Sequence, residues 1–159
     1  MSSSISIDTK SLLVEANGDT LLGDLERDAG AAGYTLGFDV SPHAGDSLAE
    51  WLGKGAPGAP SSFSDPADHL VAGLDATLAN GKRLEVRPGP RRAVGPDLVS
   101  LLLGTRGHLG RIDRVFLRVH RRDARRPSLA LPAGYDVDPP VSLQEAALME
   151  AIARALASS

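Results

Sequence analysis

The sequence predicts an α+β fold, in which a mainly antiparallel sheet carries helices on one side and a further helix follows at the C-terminus. Short runs of alternating apolar residues predict strands, and Asn80-Gly81 between two such runs predicts a hairpin. Two Ser-x-x-Glu patterns, beginning at Ser47 and Ser142, have the spacing of capping boxes that open helices. The chain has 159 residues, 42% hydrophobic and 23% charged, which suits one globular domain with a sizeable core.

The first third of the chain predicts three short strands and one helix. The strands are Ser4 to Ile7, Leu12 to Ala16 and Tyr34 to Leu36. Asp19 or Thr20 is expected to cap a helix that continues to about Ala32, and Gly33 is expected to end it. The apolar side of that helix comprises Leu21, Leu22, Leu25 and Ala29.

The middle of the chain predicts two short helices and three strands. The capping box at Ser47 opens a helix that carries Trp51, which we expect to be a core or interface anchor rather than a ring that stacks on a ligand. A second short helix is expected from Asp97 to Leu103. The strands are His69 to Leu78, Arg83 to Val86 and Ile112 to Val119, and the segments 53–66 and 87–96 are expected to be loops.

The composition divides the chain into three parts. Residues 1–120 are expected to form one α+β domain, and residues 121–140, rich in Arg and Pro, a linker or an arm on the surface. Residues 141–159 are expected to form a helix that packs on the same domain or on a partner. Its apolar positions are Leu143, Ala147, Met149, Ile152 and Leu156.

Several classes of function lack support in the sequence. The chain has no cysteine, which excludes disulfides, thiolate catalysis and cysteine-based zinc sites. Its four histidines lack metal-ligand spacing, and neither a P-loop, a Rossmann fingerprint nor a nucleophile elbow is present, so no metal site and no catalytic residue is predicted. No apolar run reaches the length of a membrane span and no signal peptide is recognisable, so the default expectation is a cytoplasmic protein.

Charge is distributed unevenly along the chain. Residues 1–80 hold 12 acidic and 3 basic residues, whereas residues 81–126 hold 4 acidic and 13 basic residues. The basic section suits an anion surface or, alternatively, a solvated strand edge and an exposed tail whose charges pair with the acidic section. Aromatic residues make up only 4% of the chain, so a nucleic-acid surface built on base stacking is not expected.

A segment with three evenly spaced glycines carries the most specific signal. Gly104, Gly107 and Gly110 recur every third residue and lead directly into the strand that contains Ile112. Glycines at this spacing permit positive φ and a close approach of the backbone to a ligand. Their N–H groups are candidates for binding a phosphate, with Arg106 and Arg111 as candidate cationic partners, and a turn retained only for folding is the alternative.

This segment resembles the glycine-rich stretch in the second FAD subdomain of the vanillyl-alcohol oxidase and p-cresol methylhydroxylase family. The resemblance extends from about Ser4 to Val119, most specifically in Asp68 to Gly81 and in Gly95 to Val119. It is closest to alkyldihydroxyacetonephosphate synthase and glycolate oxidase-like members. The resemblance implies an FAD-binding domain of an oxidoreductase, with Gly104, Thr105, Gly107, Gly110 and Ile112 as cofactor-binding residues.

The sequence also departs from the family pattern. Ala49-Glu50 stands where the family has Gly-Gly, which places a Cβ at both positions and a carboxylate near the expected phosphates. Arg106 and His108 replace an acidic residue and a threonine of the family's last motif. In the family a first FAD subdomain precedes this region and a substrate-cap domain follows it, so the resemblance implies half of a flavin site.

Two functions follow from these expectations. One is a diverged FAD-binding-like domain without catalysis of its own, which acts as an interaction or scaffold module. The other is the FAD-binding subunit of a flavin-linked oxidoreductase whose partner supplies the rest of the site. Under both hypotheses we expect a protein partner or a homo-oligomer, and we expect that this chain alone does not retain FAD, because half a site leaves the cofactor in water.

Overall fold

The predicted fold class is confirmed. The computed structural model describes residues 5–59, 70–88, 98–122 and 150–156. Its elements, in chain order, are β1 (Ser6–Asp8), β2 (Leu13–Asn17), α1 (Leu22–Ala31), β3 (Tyr34–Thr35), a 3-10 turn (Ser41–His43), α2 (Leu48–Gly53), β4 (Val71–Leu78), β5 (Arg83–Val86), β6 (Gly110–Arg118), β7 (His120–Arg121) and a helical stretch, α3, at residues 150–156. Five strands form one antiparallel sheet in the order β1-β2-β6-β4-β5, and β3 pairs with β7.

Strand β6 lies at the centre of the sheet and carries the core. Its residues Ile112, Val115 and Leu117 are buried, and Val115 pairs with Leu74 of β4 while Leu117 pairs with Val14 of β2. The helices cover this face of the sheet with buried residues such as Leu22, Leu25, Leu48, Trp51 and Leu52. Burial of this apolar surface is the main favourable contribution to folding.

The opposite face of β6 carries charged residues beside the half-buried Phe116, which corrects one of the two interpretations of its arginines. That interpretation places them on a strand edge, but β6 is central and Arg114 lies on its solvated face. Arg114 pairs there with Glu15 at 2.8 Å and with Asp75 at 3.8 Å. The expected pairing of basic and acidic sections is therefore confirmed for this strand, as an antiparallel sheet with one solvated face permits.

Helix α1 begins differently from the prediction. Its N-cap is Leu21, which makes no side-chain cap and is 41% exposed, so neither the cap at Asp19 or Thr20 nor the placement of Leu21 on the apolar side was correct. The N–H groups of Leu22 and Gly23 donate instead to the carbonyl oxygens of Asp46 and Ala44, at 2.9 and 3.0 Å. Backbone acceptors from a later loop thus satisfy the donors that a side-chain cap normally satisfies.

Helix α2 begins as predicted. Ser47 Oγ accepts a hydrogen bond from the N–H of Glu50 at 3.2 Å, and Glu50 Oε2 accepts one from the N–H of Ser47 at 3.1 Å, so both halves of the capping box form. Trp51 is fully buried, stacks on Phe38 with ring centroids 5.5 Å apart, and donates its indole N–H to Pro57 O. Its predicted role as a core anchor is confirmed.

The remaining elements agree with the predictions in part. The β4–β5 hairpin forms at Asn80-Gly81, and Gly81 has a φ of 78°. Residues 98–104 form turns rather than the predicted helix, and its expected cap, Asp97, lies outside the described residues. In α3, Ile152 and Leu156 are half-buried against the core, whereas the capping box at Ser142 lies outside the described residues.

Candidate functional site

A groove of about 820 Å³ lies between α2, the glycine-rich segment and the adjoining ends of β4 and β6. Its volume lies within the range of small-molecule sites. The residues that line it come from four separate stretches of the chain. They are Ala49, Glu50, Gly53 and Lys54; Thr77, Leu78 and Ala79; Leu102, Thr105, Arg106 and Gly107; and Gly110, Arg111 and Ile112.

The glycine-rich segment forms one wall of the groove through a backbone of unusual conformation. Gly104, Gly107 and Gly110 all have positive φ, at 74°, 83° and 157°. Arg106 also has a positive φ, 52°, which is uncommon for a residue with a Cβ. Residues in such sparsely populated conformations often mark functional sites, because the strain persists only where the surroundings impose it.

Two backbone hydrogen bonds fix this segment against the end of α2. The N–H of Gly104 donates to Leu52 O at 3.1 Å, and the N–H of Arg106 donates to Gly53 O at 2.9 Å. Beneath the groove, the buried Thr105 donates its hydroxyl to Leu102 O at 2.9 Å. The segment is therefore held in place by the protein itself.

Of the three glycine N–H groups, one is available to a ligand. The N–H of Gly104 is used in the bond to α2, and the N–H of Gly110 donates to Gly107 O at 3.2 Å. The N–H of Gly107 has no acceptor among the described residues. A phosphate at this wall would thus find the Gly107 amide, with the exposed side chains of Arg106 and Arg111 beside it.

Helix α2 forms a second wall, with Ala49 and Glu50 among the lining residues. The Glu50 carboxylate is exposed, and its hydrogen bonds from the backbone and hydroxyl of Ser47 lower its pKa below the usual value. A lowered pKa keeps this carboxylate ionised at neutral pH.

Other charges at the groove are paired. Lys54 Nζ lies 2.9 Å from Asp46 Oδ1, and Arg111 Nε lies 2.8 Å from Asp113 Oδ1. The pKa of Asp46 is lowered chiefly by the hydrogen bond from Lys54, and the pKa of Asp113 chiefly by the hydrogen bond from Thr77 Oγ1 at 2.6 Å. Within the described residues, the Lys54 and Arg111 cations at the groove therefore each have a carboxylate partner.

Four of the five residues expected from the glycine-rich segment line the groove: Thr105, Gly107, Gly110 and Ile112. Gly104 is outside the lining and serves the backbone bond to α2. Sequence reasoning missed the contributions of Gly53, Lys54 and residues 77–79, because they reach the groove only through the packing of β4 and α2 around β6.

None of the three histidines that the structure describes lines the groove. His43 lies 3.3 Å from Asp46, and His108 and His120 lie outside the lining, while His69 is outside the described residues. No group of three or more residues with metal-binding side chains is assembled in the described ranges. Within those same ranges no helix is long and apolar enough to cross a membrane.

Comparisons with known proteins find sequence similarity to an FAD-linked oxidoreductase and to alkyldihydroxyacetonephosphate synthase. No protein-family model matches the chain. The chain is 27% identical over 121 residues to an uncharacterized FAD-linked oxidoreductase, YgcU, from Escherichia coli, and 26% identical over 113 residues to alkyldihydroxyacetonephosphate synthase from Caenorhabditis elegans. The resemblance to FAD-linked oxidoreductases is confirmed. The matched regions cover 76% and 71% of this chain.

Solved structures extend the likeness to the fold. Two crystal forms of alkyldihydroxyacetonephosphate synthase match 75% of this chain with TM-scores of 0.61 and 0.60 and identities of 19% and 21%. The chain spans about a quarter or less of the length of the proteins it matches: 25% and 19% of the two curated relatives, and 21% and 23% of the two solved chains. The domain described here is therefore similar in fold to one part of alkyldihydroxyacetonephosphate synthase.

Proposed function

We propose that this chain supplies one wall of a flavin-nucleotide site of the FAD-linked oxidoreductase type, and that a second polypeptide or a further domain supplies the other wall. The groove carries the proposal, because it assembles four of the five residues expected to bind the cofactor. Its volume suits a small-molecule ligand. The likeness to FAD-linked oxidoreductases supports the choice of a flavin.

The glycine-rich wall would hold a phosphate of the flavin nucleotide. The Gly107 amide and the guanidinium groups of Arg106 and Arg111 are suited to an anion, since charge-assisted hydrogen bonds are the stronger ones. When bound, a flavin would supply hydride and electron transfer, which the protein orients rather than performs. Thr105 would support this wall from beneath through its bond to Leu102.

We propose further that the chain binds and orients but does not catalyse on its own. The ionisable groups of the groove have structural partners: Glu50 bonds to Ser47, Lys54 to Asp46, and Arg111 to Asp113. A general acid or base must instead exchange a proton with the substrate at hydrogen-bond distance. Catalytic groups would therefore come from the partner that completes the site, with a protein partner or a second copy of this chain in that role.

A second candidate function is favoured by one observation. Ala49 and Glu50 place two Cβ atoms and a carboxylate in the groove, and both features oppose a diphosphate. In this alternative the domain is an interaction or scaffold module that binds a protein partner and no flavin.

Flavin binding distinguishes the two candidates. We expect the purified chain to be colourless and to gain little thermal stability from FAD, because one wall leaves most of the cofactor in water. Flavin fluorescence anisotropy should nevertheless detect weak binding, and the double change Arg106→Ala with Arg111→Ala should abolish it. The matched control is Arg27→Ala, an exposed arginine on α1 that lies outside the groove.

Two outcomes would decide against the flavin site. An anisotropy that does not rise at any flavin concentration would favour the interaction module. Equal weakening of binding by the groove pair and by Arg27→Ala would show that any binding is non-specific. A stoichiometrically yellow protein would instead contradict the requirement for a second wall.

A further inference from the structure

The two walls of the groove offer different chemistry to a ligand. The glycine-rich wall presents the Gly107 amide and two arginines, whereas the α2 wall presents Ala49, the Glu50 carboxylate and Lys54, which is paired with Asp46. This asymmetry bears on which flavin nucleotide the groove accepts, so the inference below rests on the proposed function.

Helix α2 has no backbone donor left for a phosphate in its first turn. The N–H of Leu48 donates to Thr20 O at 2.9 Å and the N–H of Ala49 to Gly18 O at 2.8 Å. The N–H of Glu50 is taken by the hydroxyl of Ser47. A phosphate placed against the first turn of α2 would lose hydration without gaining backbone hydrogen bonds, which is unfavourable.

The Glu50 carboxylate makes the same wall suited to hydroxyl groups. Its Oε2 accepts both hydrogen bonds from Ser47, and its Oε1 has no hydrogen-bond donor within the described part of the chain. An ionised carboxylate oxygen accepts hydrogen bonds and cannot donate them. The complementary ligand groups are therefore hydroxyls, such as those of a ribityl chain or a ribose.

The charges around the groove support one phosphate but not two. Among the described lining residues the cations are Lys54, Arg106 and Arg111, and the one carboxylate is Glu50. Asp46 and Asp113 pair with Lys54 and Arg111 from outside the lining. One phosphate can lie against the arginines, but a second phosphate toward α2 would approach the negative charge of Glu50.

We infer that this groove takes a flavin with a single phosphate, bound at the glycine-rich wall with its hydroxyls toward Glu50, and that Glu50 excludes the pyrophosphate of a dinucleotide. The ligand class is a phosphorylated polyol of the FMN type. Glu50 is then a specificity-determining residue of the groove.

The substitution Glu50→Gln tests this inference without disturbing the helix. Glutamine at this position preserves the capping box, because its amide oxygen still accepts from Ser47, while the charge is removed and the other carboxylate oxygen becomes an NH2 group that can donate to a ligand hydroxyl. The experiment measures the affinities of FMN and FAD for the full chain by flavin fluorescence anisotropy. The wild-type chain should bind FMN about tenfold more tightly than FAD, and Glu50→Gln should reduce that preference about fivefold, the factor expected for one charge at contact distance in water.

The matched control is Glu85→Gln, which removes an exposed carboxylate from β5 outside the groove and should leave the preference unchanged. Melting temperatures of all three proteins should agree, which would show that the capping box persists. A wild-type protein that binds FAD as tightly as FMN would overturn the inference, as would a preference that Glu50→Gln leaves intact.

Adenosine mono- and diphosphate separate this inference from the proposed function. If no flavin binds but AMP binds better than ADP, and Glu50→Gln removes that difference, the assignment of a flavin is wrong. The inference that Glu50 restricts the groove to ligands with one phosphate is then supported. If flavins bind and FAD is preferred over FMN, the assignment of a flavin is supported and the restriction to one phosphate is wrong. If no nucleotide binds, both are overturned.

Discussion

Alanine substitutions at the three glycines of the glycine-rich segment should each lower the stability of the domain. The size of each loss should depend on the φ of the glycine and on the backbone atoms near the added Cβ. At Gly107 an added Cβ would have only Gly110 O near it, at 3.9 Å, so the cost comes from the positive φ alone. We expect Gly107→Ala to lower the free energy of unfolding by about 1 kcal/mol. Gly104 has a φ of 74° and open space around its Cβ position, so Gly104→Ala should cost about the same.

Gly110 should respond more strongly. An added Cβ there would lie 2.5 Å from Thr77 O and 2.8 Å from Leu78 Cα, which belong to the backbone of the neighbouring strand β4. The clash adds to the cost of a φ of 157°, so Gly110→Ala should lose about 3 kcal/mol or more. For a domain of this size each kcal/mol corresponds to roughly 2–4 °C in the melting temperature.

Gly45→Ala is the matched control, because no heavy atom lies within 4 Å of its Cβ position and its φ is not in the left-handed range. It should be neutral or stabilising by about 0.5 kcal/mol. Arg106→Gly should have the opposite effect on stability, because glycine adopts a φ of 52° without the strain that a side chain causes. Its melting temperature should stay the same or rise by a few degrees, roughly.

Thermal melting followed by circular dichroism, with urea unfolding for the free energies, measures the series. Equal losses from Gly107→Ala and Gly110→Ala would refute the contribution assigned to the clash with β4. A loss from Gly45→Ala as large as that from Gly107→Ala would refute the contribution assigned to positive φ.

Two further predictions concern the core sheet and α3. The hydrogen bond from Thr77 Oγ1 lowers the folded-state pKa of Asp113. This shift contributes stability that is present above the unfolded pKa of 3.8 and is lost as pH falls through the folded value. Thr77→Val should therefore reduce the decrease in melting temperature that acidification below about pH 4 causes. The double change Ile152→Asp with Leu156→Asp should expose apolar core and cause aggregation or a change of oligomer size in sedimentation, whereas Ala151→Asp, on the exposed side of α3, should not. A monomeric, equally stable double variant would show that α3 does not cover the core.

Elements with local signals could be predicted from the sequence. The capping box at Ser47 and Glu50 and the turn at Asn80-Gly81 form as expected, because each is specified by residues within a few positions of one another. The start of α1 could not be predicted, since its N–H donors are satisfied by carbonyl oxygens some twenty residues later in the chain.

The candidate site was predictable on one side only. The glycine pattern identified the wall around Gly107, because backbone positions with positive φ are usually occupied by glycine. The positive φ of Arg106 could not be predicted, because the residue is not a glycine. The wall formed by residues 77–79 depends on the antiparallel pairing of Leu78 with Gly110 across the sheet. Contacts set by tertiary pairing have no local signature in a single sequence.

Glu50 connects the stability of the domain with the chemistry of its groove. The same carboxylate completes the capping box of α2 and places a negative charge on the α2 wall of the groove. A change to alanine or glycine would remove both effects together, so a loss of helix stability would mask any gain in nucleotide binding. Glutamine separates them, because hydrogen bonding to Ser47 depends on the oxygen whereas repulsion of a phosphate depends on the charge. The comparison between the two kinds of substitution therefore distinguishes a residue kept for its helix from one that also selects the ligand.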